Sequence, residues 1–285
     1  MSGKNYTIRV EMGHSKRITD LMQKLWPIYK AGLWLGKQPG VGYLLQPVFS
    51  SKIHQVTMLP VNEAIADREQ TVMPYSVLME LVEQSSTCFI MHECVCRKKE
   101  NCQTHPIDLG CLFLGDGAAQ IHSSQGEICG TDKAKQHIQR GLEASLYPLI
   151  AHTVIDSFTL GISYKRMLTV CFCCECCCIV QRGLRKGLKS LQHIIQPLPG
   201  LRFTIEEGCA ACGLCIEKCP VGAISNNHQG VEINGECKGC GICVQACPNG
   251  SIKMEIEGKG ELWQGISQRL GSHADITKSY KKKLT

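Results

Sequence analysis

Residues 209–220 read CAACGLCIEKCP, and residues 237–248 read CKGCGICVQACP. These are two copies of one run, C-x-x-C-x-x-C-x-x-x-C-P, offset by 28 residues. Smaller details repeat with them. Gly213 and Gly241 follow the second cysteine, and Ala223-Ile224 after the first run matches Ser251-Ile252 after the second. Three thiols at three-residue spacing can be wrapped from a single tight loop, and glycine lets the backbone come close to whatever the sulfurs hold. Pro220 and Pro248 end each loop and redirect the chain. Paired C-x-x-C motifs also occur in structural zinc sites. Two complete four-cysteine runs with a trailing proline argue for a different cofactor.

Over residues 203–257 the chain resembles the bacterial two-cluster ferredoxins. The resemblance implies a small α+β fold holding two [4Fe–4S] clusters. Each cube needs four thiolates at tetrahedral corners, and the fourth cysteine of each run, out of reach of its own loop, ligates the other cube. The expected sets are Cys209, Cys212, Cys215 and Cys247, and Cys237, Cys240, Cys243 and Cys219. The stretch AISNNHQGVEING between the runs reads as a short strand pair with a turn.

The chain has 285 residues and 20 cysteines, so the duplicated runs account for fewer than half of its thiols. Six more sit in CFCCECCC: Cys171, Cys173, Cys174, Cys176, Cys177 and Cys178. Disulfides, a redox thiol pair and metal compete as explanations. Adjacent cysteines bridge poorly because the disulfide strains the intervening peptide. The start MSGKNYTIRVEMGHSKR is charged and mixed, without the apolar region of a signal peptide. A cytoplasmic location and metal ligation are therefore expected. Flanking sulfurs point to different sides. The run is expected to divide into Cys171, Cys173 and Cys177 on one face and Cys174, Cys176 and Cys178 on the other. It would then bridge two clusters or complete a cube with thiols from upstream. A dithiol relay without iron is the rival.

Those upstream thiols lie in HECVCRKKENCQTHPIDLGCLFLGDGA: Cys94, Cys96, Cys102 and Cys111. The preceding CFIM reads as a strand, whose alternation would put Cys94 and Cys96 on one face, with Cys102 and Cys111 returning from the following loop. Four thiols so arranged suit a [4Fe–4S] cluster, with zinc or inert or redox thiols as alternatives. His92 and His105 could each replace a ligand or be structural. Cys88 and Cys129 stand apart.

The rest reads as α+β, with a mixed α/β N-terminal domain carrying cysteine-rich loops ahead of the small ferredoxin-like domain. The expected division is 1–200, 201–257 and a basic tail at 258–285. Helices are expected over 15–30, with an apolar stripe Ile18, Leu21, Met22, Leu25, Trp26 and Tyr29; over 74–86, with Val77, Leu78, Leu81 and Val82 inward; and over 131–146, capped by Thr131 or Asp132. KIHQVTMLP reads as a strand. Residues 206–257 carry 3 Lys/Arg against 7 Asp/Glu, whereas the tail carries 6 against 2 and ends KSYKKKLT, a solvated end. No run reaches a membrane span, and the aromatic content of 6% does not suit a nucleic-acid face. The patch Gly32 to Phe49 reads as core or partner contact, with grazing of a membrane surface as the alternative. The glycine motifs GVG at Gly40 to Gly42 and GDGA at Gly115 to Ala118 are weak, Walker A and the C-x-x-x-C-x-x-C run are absent, and no Ser-His-Asp or carboxylate-pair arrangement stands out.

The order C-x-C-R, a further cysteine, HPIDLGCLFLG, a helix, C-C-x-C-C-C and then the ferredoxin pair is similar to iron–sulfur binding, ferredoxin-like proteins of anaerobic bacteria and archaea, over most of residues 55–255. The resemblance implies an anaerobic, cytoplasmic redox protein with one or two additional [4Fe–4S] or other iron–sulfur clusters in the N-terminal part. Redox proteins are the implied partners, either subunits of one complex or a soluble ferredoxin. An electron carrier, or a subunit of an oxidoreductase complex, is the expected function. The alternatives are a redox enzyme with a substrate-reactive N-terminal cluster, and an iron–sulfur sensor or maturation protein. Arg182, Arg185, Lys186 and Lys189 after the run would raise a nearby cluster's potential, form an exposed face or dock an acidic donor.

Overall fold

The segment LTVCFC at 168–173 alternates large apolar and smaller residues, as a strand buried on both faces requires. In a computed structural model of the protein it is the middle strand of a seven-stranded sheet. The structure describes residues 13–35, 38, 41, 54–58, 73–185, 194–198, 200–227, 230–256 and 276. The sheet is built from β1 (His54–Met58), β2 (Cys88–Met91), β3 (Leu112–Leu114), β4 (Gly126–Cys129), β5 (Tyr147–Thr153), β6 (Leu168–Cys173) and β7 (Ile195–Gln196). Its order is β4-β2-β3-β6-β5-β1-β7. Every neighbouring pair is antiparallel except β1 and β7, which run parallel.

The two faces of β6 divide its side chains. Leu168, Val170 and Phe172 join a core with Leu78, Leu81 and Val82 of the Met73–Gln84 helix and Ala134 and Ile138 of the Thr131–Glu143 helix. Cys173, with Cys171 beside it, belongs to a second cluster containing Val56, Leu149, Ala151, Leu184, Ile194 and Ile195. The Thr131–Glu143 helix lies unusually close to β6, since a Cβ at Gly141 would stand 2.4 Å from the Phe172 ring. Glycine there brings helix and strand together, and the His137 ring meets Phe172 edge-on at 5.2 Å.

After residue 200 the pattern changes to two small sheets. β8 (Leu201–Ile205) pairs antiparallel with β11 (Ile252–Ile256), and β9 (Ile224–Asn227) with β10 (Gly230–Ile233). Helices Leu214–Lys218 and Ile242–Ala246 complete this unit. The chain is thus mixed α and β, with strand pair and helices where the duplicated runs place them.

Three expectations change. The 15–30 helix is broken: Lys16–Met22 and Trp26–Leu35 are α-helices, joined by a 3₁₀ turn at Gln23–Leu25. Pro27 has no N–H to give to Gln23, so the continuous ladder fails there. Its stripe is not core, because Ile18, Leu21 and Leu25 are exposed. The Thr131–Glu143 helix is entered through Gly130 in extended conformation, without a side-chain cap from Thr131 or Asp132. Cys94 and Cys96 are not on a strand: β2 ends at Met91, and Cys94 precedes the short Val95–Lys99 helix. One residue of the tail, upstream of the basic end, is described. Ile276 is buried against the first core, and its carbonyl accepts the Ser86 N–H at 2.8 Å. The stretch KSYKKKLT and most of Gly32 to Phe49 lie outside the described residues.

One polar knot ties the N-terminal helices to the thiol-bearing loops. The Glu100 carboxylate accepts from Trp26 Nε1 at 2.7 Å and Lys30 Nζ at 3.1 Å, and pairs with Arg182. Burial alone would raise its pKa, but these three donors outweigh it and bring it down to about 2. A carboxylate depressed in the folded state stabilises the protein above its unfolded pKa, and the contribution is lost as pH falls towards the folded value. We expect Glu100→Gln to cost about 1 kcal/mol at neutral pH, the scale of a partly screened network. By anaerobic thermal unfolding, the gap between wild type and variant closes progressively from about pH 4.5 towards pH 2.

Candidate functional site: two thiol groups at the end of one strand

Strand β6 delivers CFCCECCC. It ends at Cys173, and the chain turns through Glu175, Cys176 and Cys177 into the Ile179–Arg185 helix. The turn is held internally: the Cys177 N–H points at the Cys174 sulfur at 3.3 Å, and the Cys178 N–H donates to the Cys174 carbonyl at 3.3 Å. The run is divided by the sheet. Cys174 and Cys177 face the first core, with Cys176 beside them, while Cys173 and Cys178 face the second.

On the first face, the sulfurs of Cys102, Cys174, Cys176 and Cys177 all lie within 4.8 Å of one another. Cys102 and Cys176 are 3.7 Å apart. The Thr104 and His105 backbone N–H groups point at the Cys102 sulfur. Burial is the largest influence and raises its pKa, but these groups, with hydrogen bonds from Cys177 and Cys176, outweigh it and lower the pKa. His105 Nε2 meets the Glu175 carboxylate at 3.3 Å, and its Nδ1 lies 3.3 Å from the Ala144 carbonyl. His105 and Glu175 thereby stand beside Cys176.

On the second face are six thiols in three close pairs. Cys173 and Cys178 are 3.1 Å apart, Cys111 and Cys171 are 3.4 Å apart, and Cys94 and Cys96 share a thiol hydrogen bond. The pairs interact: Cys96 feels Cys178, and Cys173 feels both Cys96 and Cys111. The hydrogen bond from Cys96 is the largest influence on Cys94 and lowers its pKa despite burial, with Arg97 assisting. Cys96 and Cys171 are pushed up by their thiol partners and by burial. Ionising one thiol of such a group disfavours ionising the next, unless positive charge is brought in.

One such charge is Arg97, 1% exposed. Its guanidinium donates to the carbonyls of Pro106 at 2.7 Å, Phe172 at 2.5 Å and Leu109. Burial disfavours its charge, but Cys94, Cys174 and Cys111 outweigh this and raise its pKa. Cys174 belongs to the first thiol group and the other two to the second, so Arg97 stands between them.

The duplicated runs fold as one pseudo-symmetric unit. Gly213 and Gly241, 28 positions apart, cap the two helices in the left-handed region, at φ of 79° and 74°. Ala223 N–H points at the Cys219 sulfur and Ser251 N–H at that of Cys247, both at 3.3 Å. A concavity is lined by Cys209, Cys212 and Cys215 together with Cys247. Cys219 acts on Cys237, Cys240 and Cys243. The fourth cysteine of each run thus lies with the other run's loop. The two ends differ in environment: Cys212 is exposed, whereas burial pushes Cys240 and Cys243 up to about 12. Cys240 and Val221 pack against the cluster that contains Cys173 and Cys178.

The structure regroups the N-terminal candidates. Cys102 leaves Cys94, Cys96 and Cys111 for the other face, and Cys177 and Cys178 exchange sides. His92 is exposed, away from both groups, whereas His105 is beside one. Arg182 is committed to Glu100 rather than facing a thiol group; Lys186 and Lys189 and the side chain of Arg185 lie outside the described residues. Cys88 and Cys129 are cross-strand partners in β2 and β4, far along the sheet order from the run. Arg97 was the residue that sequence reasoning missed. Its only signal was its place directly after Cys96, in C-x-C-R.

Removing Arg97 would orphan three carbonyls and leave the thiol groups without their buried cation. Arg97→Met should cost about 3–5 kcal/mol, the range for breaking a buried charge network, seen as loss of soluble protein or a large fall in Tm. Arg97→Lys should recover part of this, since it keeps the charge but not the three-way fork.

No curated protein sequence matches the chain. Among the described residues, no helix is long and apolar enough to cross a membrane. Residues 208–252, which hold both duplicated runs, match the family model of the 4Fe-4S dicluster domain, so the chain carries a ferredoxin-like 4Fe–4S-binding domain, and with its many further cysteines this supports an iron–sulfur electron-transfer role.

Proposed function

We propose that the protein is an electron-transfer protein, working as a carrier or as a subunit of an anaerobic, cytoplasmic oxidoreductase assembly. Electrons pass between two ferredoxin-type [4Fe–4S] clusters and a further iron–sulfur cluster held by the second thiol group, drawn from Cys94, Cys96, Cys111, Cys171, Cys173 and Cys178. The first cube takes Cys209, Cys212, Cys215 and Cys247; the second takes Cys237, Cys240, Cys243 and Cys219. The observation that carries this reading is the packing of Cys240 against the apolar cluster of Cys173 and Cys178. A ligand of the second cube then shares one apolar cluster with ligands of the N-terminal cluster, and an apolar path of that kind limits the solvent that must reorganise on electron transfer. Cys212 at the opposite end of the unit is exposed, which suits exchange with a redox partner protein. The division of labour follows: a solvent-side cube for the partner, a buried cube for the interior.

A four-thiolate cube carries net negative charge, and positive charge nearby favours its reduced form. Arg97 is placed to do this for the N-terminal cluster, a role the sequence had offered to Arg182 and its neighbours.

The test is anaerobic reconstitution of the full chain with iron and sulfide, then reduction and electron paramagnetic resonance. About 12 cluster irons are expected, four for each cube, with magnetic coupling between the second cube and the N-terminal cluster. Cys237→Ala should abolish that coupling, while Cys209→Ala should leave it intact and remove only the first cube. Eight irons in the wild type, or a reduced-state spectrum in which Cys237→Ala and Cys209→Ala behave alike, would refute the arrangement.

A further inference from the structure

The two N-terminal thiol groups differ in their spacing, and the difference bears on what each can hold. In a four-iron cube every terminal sulfur binds a different iron, so the sulfurs are spread around the outside of the cluster. Around a single tetrahedral ion all four sulfurs share one centre, and with metal–sulfur bonds of about 2.3 Å they sit about 3.8 Å apart. The sulfurs of Cys102, Cys174, Cys176 and Cys177 all lie within 4.8 Å of one another, and the Cys102–Cys176 separation is 3.7 Å. The eight thiols of the duplicated runs supply an internal comparison. Among the described residues they show no such compact grouping, although they are the ones that match the dicluster domain.

We infer that Cys102, Cys174, Cys176 and Cys177 form a mononuclear tetrathiolate site for one thiophilic ion, zinc or iron, rather than a ligand set for a cube. The local geometry is that of a chelating knuckle. Cys174 and Cys177 stand at C-x-x-C spacing, and the Cys177 N–H points back at the Cys174 sulfur at 3.3 Å. Cys102 receives the Thr104 and His105 N–H groups in the same manner. Such donors offset the negative charge that four thiolates place on one ion. Arg97, beside Cys174, adds a full positive charge. His105 and Glu175, joined at 3.3 Å, stand against Cys176 on the more open side. Four protein ligands with a covered rim describe a closed site, the structural kind, with no position open for substrate. Its mechanical effect is to clip the Cys102 loop to the turn of the run, which sets Cys173 and Cys178 on the other face of β6.

The inference is independent of the electron-transfer reading, because its metal is counted separately from cluster iron. The full chain is purified anaerobically and its zinc and iron are measured beside those of Cys176→Ser, a substitution at a half-buried ligand. We expect wild type to carry one zinc per chain above the cluster iron, or one high-spin tetrathiolate iron in its Mössbauer spectrum. Cys176→Ser should lose that one equivalent and keep its cluster iron. The zinc and iron outcomes identify the native ion. A fall of about four irons in Cys176→Ser would overturn the inference in favour of a cube, and so would a wild type with no mononuclear ion. Should Cys176→Ser fail to fold, X-ray absorption at the zinc edge, or Mössbauer spectra if zinc is absent, decide the matter on the unaltered protein. Four sulfur neighbours without a nearby metal support the site, and iron neighbours or absence of such an ion overturn it.

Discussion

A guanidinium buried to 1% exposure is costly unless negative charge stands close by. Arg97 has three backbone carbonyls, and among the described residues no carboxylate pairs with it. Its neighbours Cys94, Cys111 and Cys174 are neutral as thiols and anionic only as thiolates. The packing of the N-terminal half is therefore consistent with sulfur that carries charge, as thiolates beside a cation or on a metal do. The dependence runs both ways. Arg97 and the backbone N–H groups ease ionisation of the thiols, and the thiols favour the buried charge of Arg97 beside its three carbonyl acceptors. The rest of the region follows from holding this arrangement: Glu100 anchors the helix after the run, Gly141 admits a helix close to Phe172, and the Phe172 carbonyl receives Arg97.

The duplicated runs were legible because their chemistry is local. Each loop brings three thiols together within seven residues, so spacing alone fixes them, and the repeat also carries the left-handed positions at Gly213 and Gly241. The existence of β1, β2 and the Met73–Gln84 and Thr131–Glu143 helices was legible for a similar reason, since each is a short periodic segment with a buried face.

The grouping of the other ten thiols was not legible, because it depends on pairings distant in sequence. Spacing places Cys102 with Cys94 and Cys96, but the Val95–Lys99 helix turns the chain between them, and Cys102 meets Cys176 some seventy residues on. Alternation correctly puts Cys171 and Cys173 on one face of β6. It says nothing once the strand ends, and the turn at Glu175 sends Cys177 and Cys178 to sides opposite to those expected. The exposed stripe of the first helices fails for a different reason. Amphipathic periodicity identifies an apolar face but not whether anything covers it, and among the described residues Ile18, Leu21 and Leu25 have no core over them.

The placement of six thiols on one strand and its turn has a consequence for how the holoprotein is made. Cys174, Cys176 and Cys177 are interleaved in the chain with Cys173 and Cys178, which lie on the opposite face. With metal on both faces as proposed, whichever face is loaded first would fix the path of the backbone for the other. A tetrathiolate ion needs no prebuilt cluster and can bind from the free metal pool, so it is suited to act first and present the remaining thiols in their final directions. Maturation would then be ordered by chain geometry rather than by relative affinity. A metal delivered to the wrong side early would be a kinetic trap that the folded strand cannot easily undo.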